Sequence, residues 1–132
     1  MKHDDFYMGV ASMCEIMSHE VERPVGCVIV YEGILAEGWS GTPSGFPNET
    51  RDEEGNTVPE VVHAEANAIA KCAKRGIATE GATVYTTLSP CFDCAKLILQ
   101  SGITEVVYKT EYFRQDGLQL LRYAGVETRQ LI

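Results

Sequence analysis

The stretch EVVYKTEYFRQDGLQLLRYAGVETRQLI, Glu105 to Ile132, decides the architecture. Glu105 to Thr110 is rich in β-branched residues and reads as a strand. Arg114 to Ala124 reads as a helix that stops at Gly125, and Val126 to Ile132 supplies a further strand with alternating apolar positions. Two strands joined through a helix do not form a hairpin. A helical crossover permits parallel pairing and is right-handed, so these two strands are expected side by side and parallel. Working outward, Thr83 to Thr87 is a strand, Pro90 opens a helix that runs to Ser101 and stops at Gly102, and His63 to Arg75 is a helix followed by Gly76. Val25 to Tyr31 and Ile34 to Trp39 flank the turn Glu32-Gly33 and form a hairpin. Residues 5–19 place Phe6, Val10, Met13 and Met17 at helical spacings, predicting an opening amphipathic helix with Asp4 and Asp5 as candidate N-caps, ended before Pro24. Residues 40–60, punctuated by Gly41, Pro43, Gly45, Pro47 and Pro59, form a loop of a length that small domains reserve for function or mobility. The expected product is an α/β fold: a five-stranded mixed sheet, helices on both faces, strands four and five parallel.

At 132 residues the chain fits one domain, and 45% hydrophobic with 23% charged residues is the balance of an ordinary globular protein. Eleven Lys plus Arg against nineteen Asp plus Glu gives a net charge of −8, which repels a phosphate polymer and argues against long nucleic acid as a partner. A small anionic ligand remains compatible, because a few pocket donors outweigh a diffuse charge that salt screens within about 10 Å. Met1-Lys2-His3-Asp4-Asp5 lacks an apolar signal core, and the longest apolar stretch, Val25 to Tyr31, is too short to span a bilayer, so the expectation is a cytoplasmic protein. Five cysteines, an odd number irregularly spaced, read as reduced thiols.

Two strings carry chemistry: His63-Ala64-Glu65 and Pro90-Cys91-Phe92-Asp93-Cys94, each at a helix start. Cys91 and Cys94, three apart, share a helix face with Cβ atoms roughly 5 to 6 Å apart, close enough to grip one ion. That spacing suits tetrahedral zinc, and a helix start favours the thiolates that zinc requires. His63 is the candidate third ligand. Cys72, nine residues on, lies roughly 13 to 14 Å further along the same helix and does not reach. Cys14 and Cys27 read as small core residues. Three protein ligands leave a coordination position for water, whose pKa then falls towards about 7. Glu65 is placed to take that water's proton and deliver it to a ring nitrogen and a leaving amine. A helix-start C-x-x-C also suits a thiol redox pair, a reading that His63 and Glu65 count against. His3 and His19 have no such company and read as ordinary surface or core residues.

The pattern His63-Ala64-Glu65, then Pro90-Cys91-x-x-Cys94, resembles the zinc-dependent nucleobase deaminases. Around it, Val25 to Val30, Glu37 to Phe46, His63 to Ile69, Tyr85 to Thr87 and Cys94 to Ile98 resemble the deoxycytidylate (dCMP) deaminase branch. The resemblance implies a cytidine-deaminase-like three-layer α/β/α fold over a single domain, 1–132. It implies hydrolysis of dCMP to dUMP and ammonia, feeding thymidylate synthesis, with one zinc on His63, Cys91 and Cys94 and Glu65 as proton shuttle. The Ala64 N–H would hold the pyrimidine carbonyl. Many members are hexamers in which the glycine-rich loop, here Gly41, Pro43, Ser44 and Gly45, binds dCTP with Mg2+ as activator or dTTP as inhibitor. Ser40 stands where many relatives carry a nucleotide-contacting asparagine, and Asn48 is a candidate substitute. Candidates for the phosphate are Arg23, Tyr112 and Arg114. Three other functions compete: a free-nucleoside cytidine or deoxycytidine deaminase, which needs no phosphate clamp; a transfer-RNA or polynucleotide editor, against which the net charge of −8 argues; and a zinc-stabilised binding module without chemistry.

Overall fold

Strand residues alternate between two apolar layers, and the alternation assigns each helix to a face of the sheet. The computed structural model describes residues 2–20 and 22–132. Its elements are α1 (Lys2–Cys14), followed by a 3₁₀ turn (Glu15–Met17), β1 (Gly26–Val30), β2 (Ile34–Trp39), α2 (Ala64–Arg75), β3 (Thr83–Leu88), α3 (Phe92–Gln100), β4 (Glu105–Thr110), α4 (Asp116–Tyr123) and β5 (Glu127–Gln130). The strand order is β2-β1-β3-β4-β5. β1 pairs antiparallel with β2 and β3, while β3–β4 and β4–β5 are parallel, so the sheet is mixed as expected. The two parallel pairs are those whose connections are helices.

Ile29, Val84 and Val106 face one way and pack with Ala68 and Cys72 of α2, Ile98 of α3 and Leu121 of α4. Val28, Tyr85 and Val107 face the other and pack against Met8, Ala11 and Cys14 of α1. Three layers result, with α1 alone on its side. Among the described residues, no helix is long and apolar enough to cross a membrane.

The first helix departs from expectation in its buried face. Of the apolar stripe read as Phe6, Val10, Met13 and Met17, Val10 packs partly buried against the core while the other three are more than half exposed, and the core side is Asp4, Met8, Ala11 and Cys14. Small side chains at 11 and 14 let the helix backbone lie close to β1, which gains more contact than large residues held at a distance would. Asp4 is not an N-cap, because the helix already includes Lys2. Its carboxylate instead accepts from the Tyr85 hydroxyl at 2.6 Å and from Arg129 Nη1 and Nη2 at 3.0 Å each, and Arg129 Nε reaches Glu105 at 2.6 Å. An ion network thus ties α1 to the parallel half of the sheet.

The long loop closes on itself. Gly41 and Val62 exchange backbone hydrogen bonds at 3.1 and 2.8 Å, and Arg51 bridges Thr57 within it.

Candidate active site

His63 and Cys91 are the N-cap residues of α2 and α3, both with extended backbone, φ −68° and −69°. Two glycines let these helix starts converge. A Cβ on Gly38 of β2 would lie 2.9 Å from the Ala68 N of α2, and one on Gly117 of α4 would lie 2.9 Å from the Cys91 O. Both are closer than a side chain tolerates.

The convergence gathers three donors. His63 Nδ1 lies 3.4 Å from both Cys91 Sγ and Cys94 Sγ, and the three ligand atoms fall within 4.8 Å of one another. Zinc bonds of about 2.1 Å to nitrogen and 2.3 Å to sulfur, at a tetrahedral angle, separate such atoms by about 3.6 Å. The donor set therefore fits zinc in both type and spacing. Hydrogen bonds from Cys94 and His63 stabilise the Cys91 thiolate and lower its pKa to about 4. The same contact with Cys91, together with burial, raises Cys94, and hydrogen bonding to Cys91 raises His63. A divalent cation between them would draw both sulfurs to the thiolate. Cys14 and Cys27 are buried core residues, as expected, and Cys72, expected only to lie out of reach of the group, is buried in the core as well.

Glu65, one residue into α2, is buried, and desolvation pushes its carboxyl up to about 7. A group poised there both accepts and releases a proton near neutral pH. Ala64, the first residue of α2, has an N–H without an intrahelical acceptor.

His63, Ala64, Glu65 and Cys91 form the floor of a cavity of about 380 Å³, a volume within the range of small-molecule sites, while Cys94 is buried outside its lining. Ser40, Arg23 and Tyr112 also line it. Ser40 is buried, and its Oγ accepts from the Val25 N–H at 3.1 Å and lies 3.0 Å from Ser18 Oγ. Its hydroxyl thus secures the segment before β1. The Tyr112 N–H donates to Ser89 Oγ at 2.7 Å, and the Arg23 guanidinium lies 6.0 Å from the Tyr112 ring centre. Asn48 and Arg114 are exposed and outside the cavity lining; Arg114 lies over Phe113 instead. Gly41 is buried in its bridge to Val62, while Pro43, Ser44 and Gly45 form an outer turn in which Phe46 N–H donates to Pro43 O at 3.0 Å.

Among the lining residues that escaped the sequence reading are Glu20, Glu22, Arg51 and Ser89. Glu20 and Arg51 meet across 31 residues, a separation that no local spacing announces. Ser89 had a signal, its place beside Pro90-Cys91.

The sequence pattern of the family described as the cytidine and deoxycytidylate deaminase zinc-binding region matches residues 1–110. The deoxycytidylate deaminase of Saccharomyces cerevisiae is 32% identical over 138 residues, covering 96% of this chain and 44% of that protein. The chain thus spans less than half of that relative. The human deoxycytidylate deaminase is 32% identical over 142 residues, covering 97% of this chain and 79% of that protein. The crystal structure of the dCMP deaminase from cyanophage S-TIM5 in complex with dCMP and dUMP superposes with a TM-score of 0.95 at 41% identity, covering 98% of this chain and 97% of that one.

Proposed function

The chain belongs to the cytidine and deoxycytidylate deaminase family, and on that premise we propose that it hydrolyses dCMP to dUMP and ammonia. The observation that carries this reading is the meeting of an imidazole and two thiols beside a buried, proton-poised carboxyl, with His63, Glu65 and Cys91 at the floor of one cavity. His63, Cys91 and Cys94 would hold the zinc, which when bound would supply a water polarised towards hydroxide at neutral pH. Glu65 accepts the proton released when the water oxygen bonds to C4 of the pyrimidine. It passes that proton to the ring nitrogen, then takes the second proton from the C4 hydroxyl and gives it to the amine, which leaves as ammonia as the C4–N bond breaks and C4=O forms. The Ala64 N–H donates to the ring carbonyl and fixes the base above Glu65. Arg23 and Tyr112, at the cavity wall, take the 5′-phosphate; among the described residues no ion pair engages the Arg23 guanidinium.

We further propose that residues 1–132 act as one deaminase domain in a cytoplasmic homo-hexamer, supplying dUMP for thymidylate synthesis. The exposed residues Phe6 and Met13 on α1 and Met17 in the turn after it are apolar surface of the kind that assembly covers. The loop around Gly41, Pro43, Ser44 and Gly45 binds a Mg2+-triphosphate, dCTP activating and dTTP inhibiting; the exposed turn at Ser44 and Gly45, with Gly45 at φ 88°, supports its use for a ligand.

The test is a steady-state assay of the zinc-loaded protein on dCMP and on deoxycytidine, with dCTP and dTTP added separately with Mg2+. The expected result is a preference for dCMP and opposite responses to the two triphosphates. Preference for the nucleoside overturns the substrate; a flat response to both triphosphates overturns the effector loop.

A further inference from the structure

Four charged side chains line the cavity away from the metal end, Glu20, Glu22, Arg23 and Arg51, and they are not equivalent. Arg51 is committed. Its Nε and Nη2 donate to Glu20 Oε1 at 3.0 and 2.9 Å, its Nη1 donates to Gly55 O at 3.1 Å, and Glu22 Oε2 lies 3.5 Å from Nη2. The side chain of Glu20 is only 6% exposed, yet every recorded bond, including one from the Glu22 N–H at 3.4 Å, falls on Oε1. Among the described residues no fully buried side-chain oxygen or nitrogen lacks a partner. Oε2 is therefore in reach of solvent, and Glu20 lines the cavity.

A deoxynucleoside 5′-monophosphate offers three polar regions: the base edge, the phosphate and a single free hydroxyl. The base edge belongs with Ala64 and Glu65. The phosphate is repelled by the Glu20 carboxylate and drawn to Arg23. What remains is the 3′-hydroxyl, a donor, and Oε2, a charged acceptor with spare capacity. We propose that Glu20 Oε2 accepts the hydrogen bond of the substrate's 3′-hydroxyl and that Arg51 is the positioning residue that holds Glu20 in place, an inference that rests on the nucleotide-deaminase reading above. Ser40 is then no sugar ligand. Its Oγ serves Val25 and Ser18, and the Ser18 hydroxyl is itself spent on the Ser40 carbonyl at 2.6 Å.

The experiment compares dCMP with 2′,3′-dideoxycytidine 5′-monophosphate on the zinc-loaded wild type, Glu20→Gln, Arg51→Lys and Arg51→Ala. In the wild type, loss of the hydroxyl should lower kcat/KM by about 10- to 100-fold, mostly through KM, as for a hydrogen bond to a charged acceptor. In Glu20→Gln and Arg51→Ala that ratio should shrink to about threefold or less, with Arg51→Lys between. Each ratio compares two substrates on one protein, so a loosened loop lowers both rates and leaves the ratio unchanged. A wild-type ratio near one, or a Glu20→Gln ratio equal to the wild type's, overturns the inference. If the wild type prefers deoxycytidine to dCMP, the nucleotide reading fails, and the same ratio with deoxycytidine and 2′,3′-dideoxycytidine still decides the role of Glu20.

Discussion

At the floor of the cavity, His63 and Glu65 stand two residues apart at one helix start, and Cys91 stands three residues from the buried Cys94 at another; at its rim, Ser18 meets Ser40 across 22 residues and Glu20 meets Arg51 across 31. Floor geometry follows from helix pitch and from unpaired N–H groups at helix ends, so only the meeting of two helices remains for the fold to supply. Rim geometry has no local origin. Each contact there depends on a loop crossing another segment, closed by Gly41 and Val62 and pinned by Arg51. The floor therefore suits invariant chemistry, and the rim suits whatever distinguishes one ligand from another.

The largest effect expected is at the floor. Replacing a ligand, Cys91→Ser, should take zinc from about one ion per chain to a small fraction and turnover to background, read by metal analysis beside a dCMP assay. Full turnover in a zinc-poor protein would break the account of the floor. Next is Glu65→Gln, which keeps shape and zinc but removes the proton carrier and should lower kcat by roughly 10²- to 10⁴-fold; normal kcat at normal zinc content removes Glu65 from the chemistry. At the rim, Arg23→Ala should raise KM for dCMP by about 10- to 100-fold and leave deoxycytidine nearly unchanged. An equal loss on both substrates would mean that Arg23 supports structure and not phosphate.

The smallest effect lies outside the cavity and serves as its control. Hydrogen bonds from Arg129 and Tyr85 lower Asp4 from 3.8 to about 2. A carboxylate with a lowered folded pKa stabilises the fold above its unfolded value, and that stability is lost as pH falls through the folded one. Asp4→Asn should therefore cost about 1 to 3 kcal/mol in denaturant unfolding at neutral pH, with kcat unaltered. The gap to wild type should close between about pH 4 and pH 2. A gap that does not vary with pH would show that Asp4 acts by shape and not by charge.

Much of this was legible in the chain. The strand over Glu105 to Thr110, the hairpin strand Ile34–Trp39 and the helix-start positions of His63, Glu65, Cys91 and Cys94 stood where periodicity and spacing put them, because each depends on neighbours within a turn or two. The first helix was legible as a helix but not in its orientation. Its large apolar residues suggested one buried face, and the strand beneath accepted the small one. Asp4 read as a cap because the residues that claim it, Tyr85 and Arg129, lie 81 and 125 positions away.

By itself the sequence determined the kinds of element, the sheet's mixed direction and the identity of the donors for a metal, since these are set by backbone propensity, connection length and side-chain chemistry over short spans. Tertiary structure alone decided which face of α1 is inside, that Ser40 is occupied by the chain, and that Glu20 and Arg51 share the cavity wall. Those outcomes turn on how closely two backbones approach and which distant charges then meet, quantities that come into being only when the layers pack.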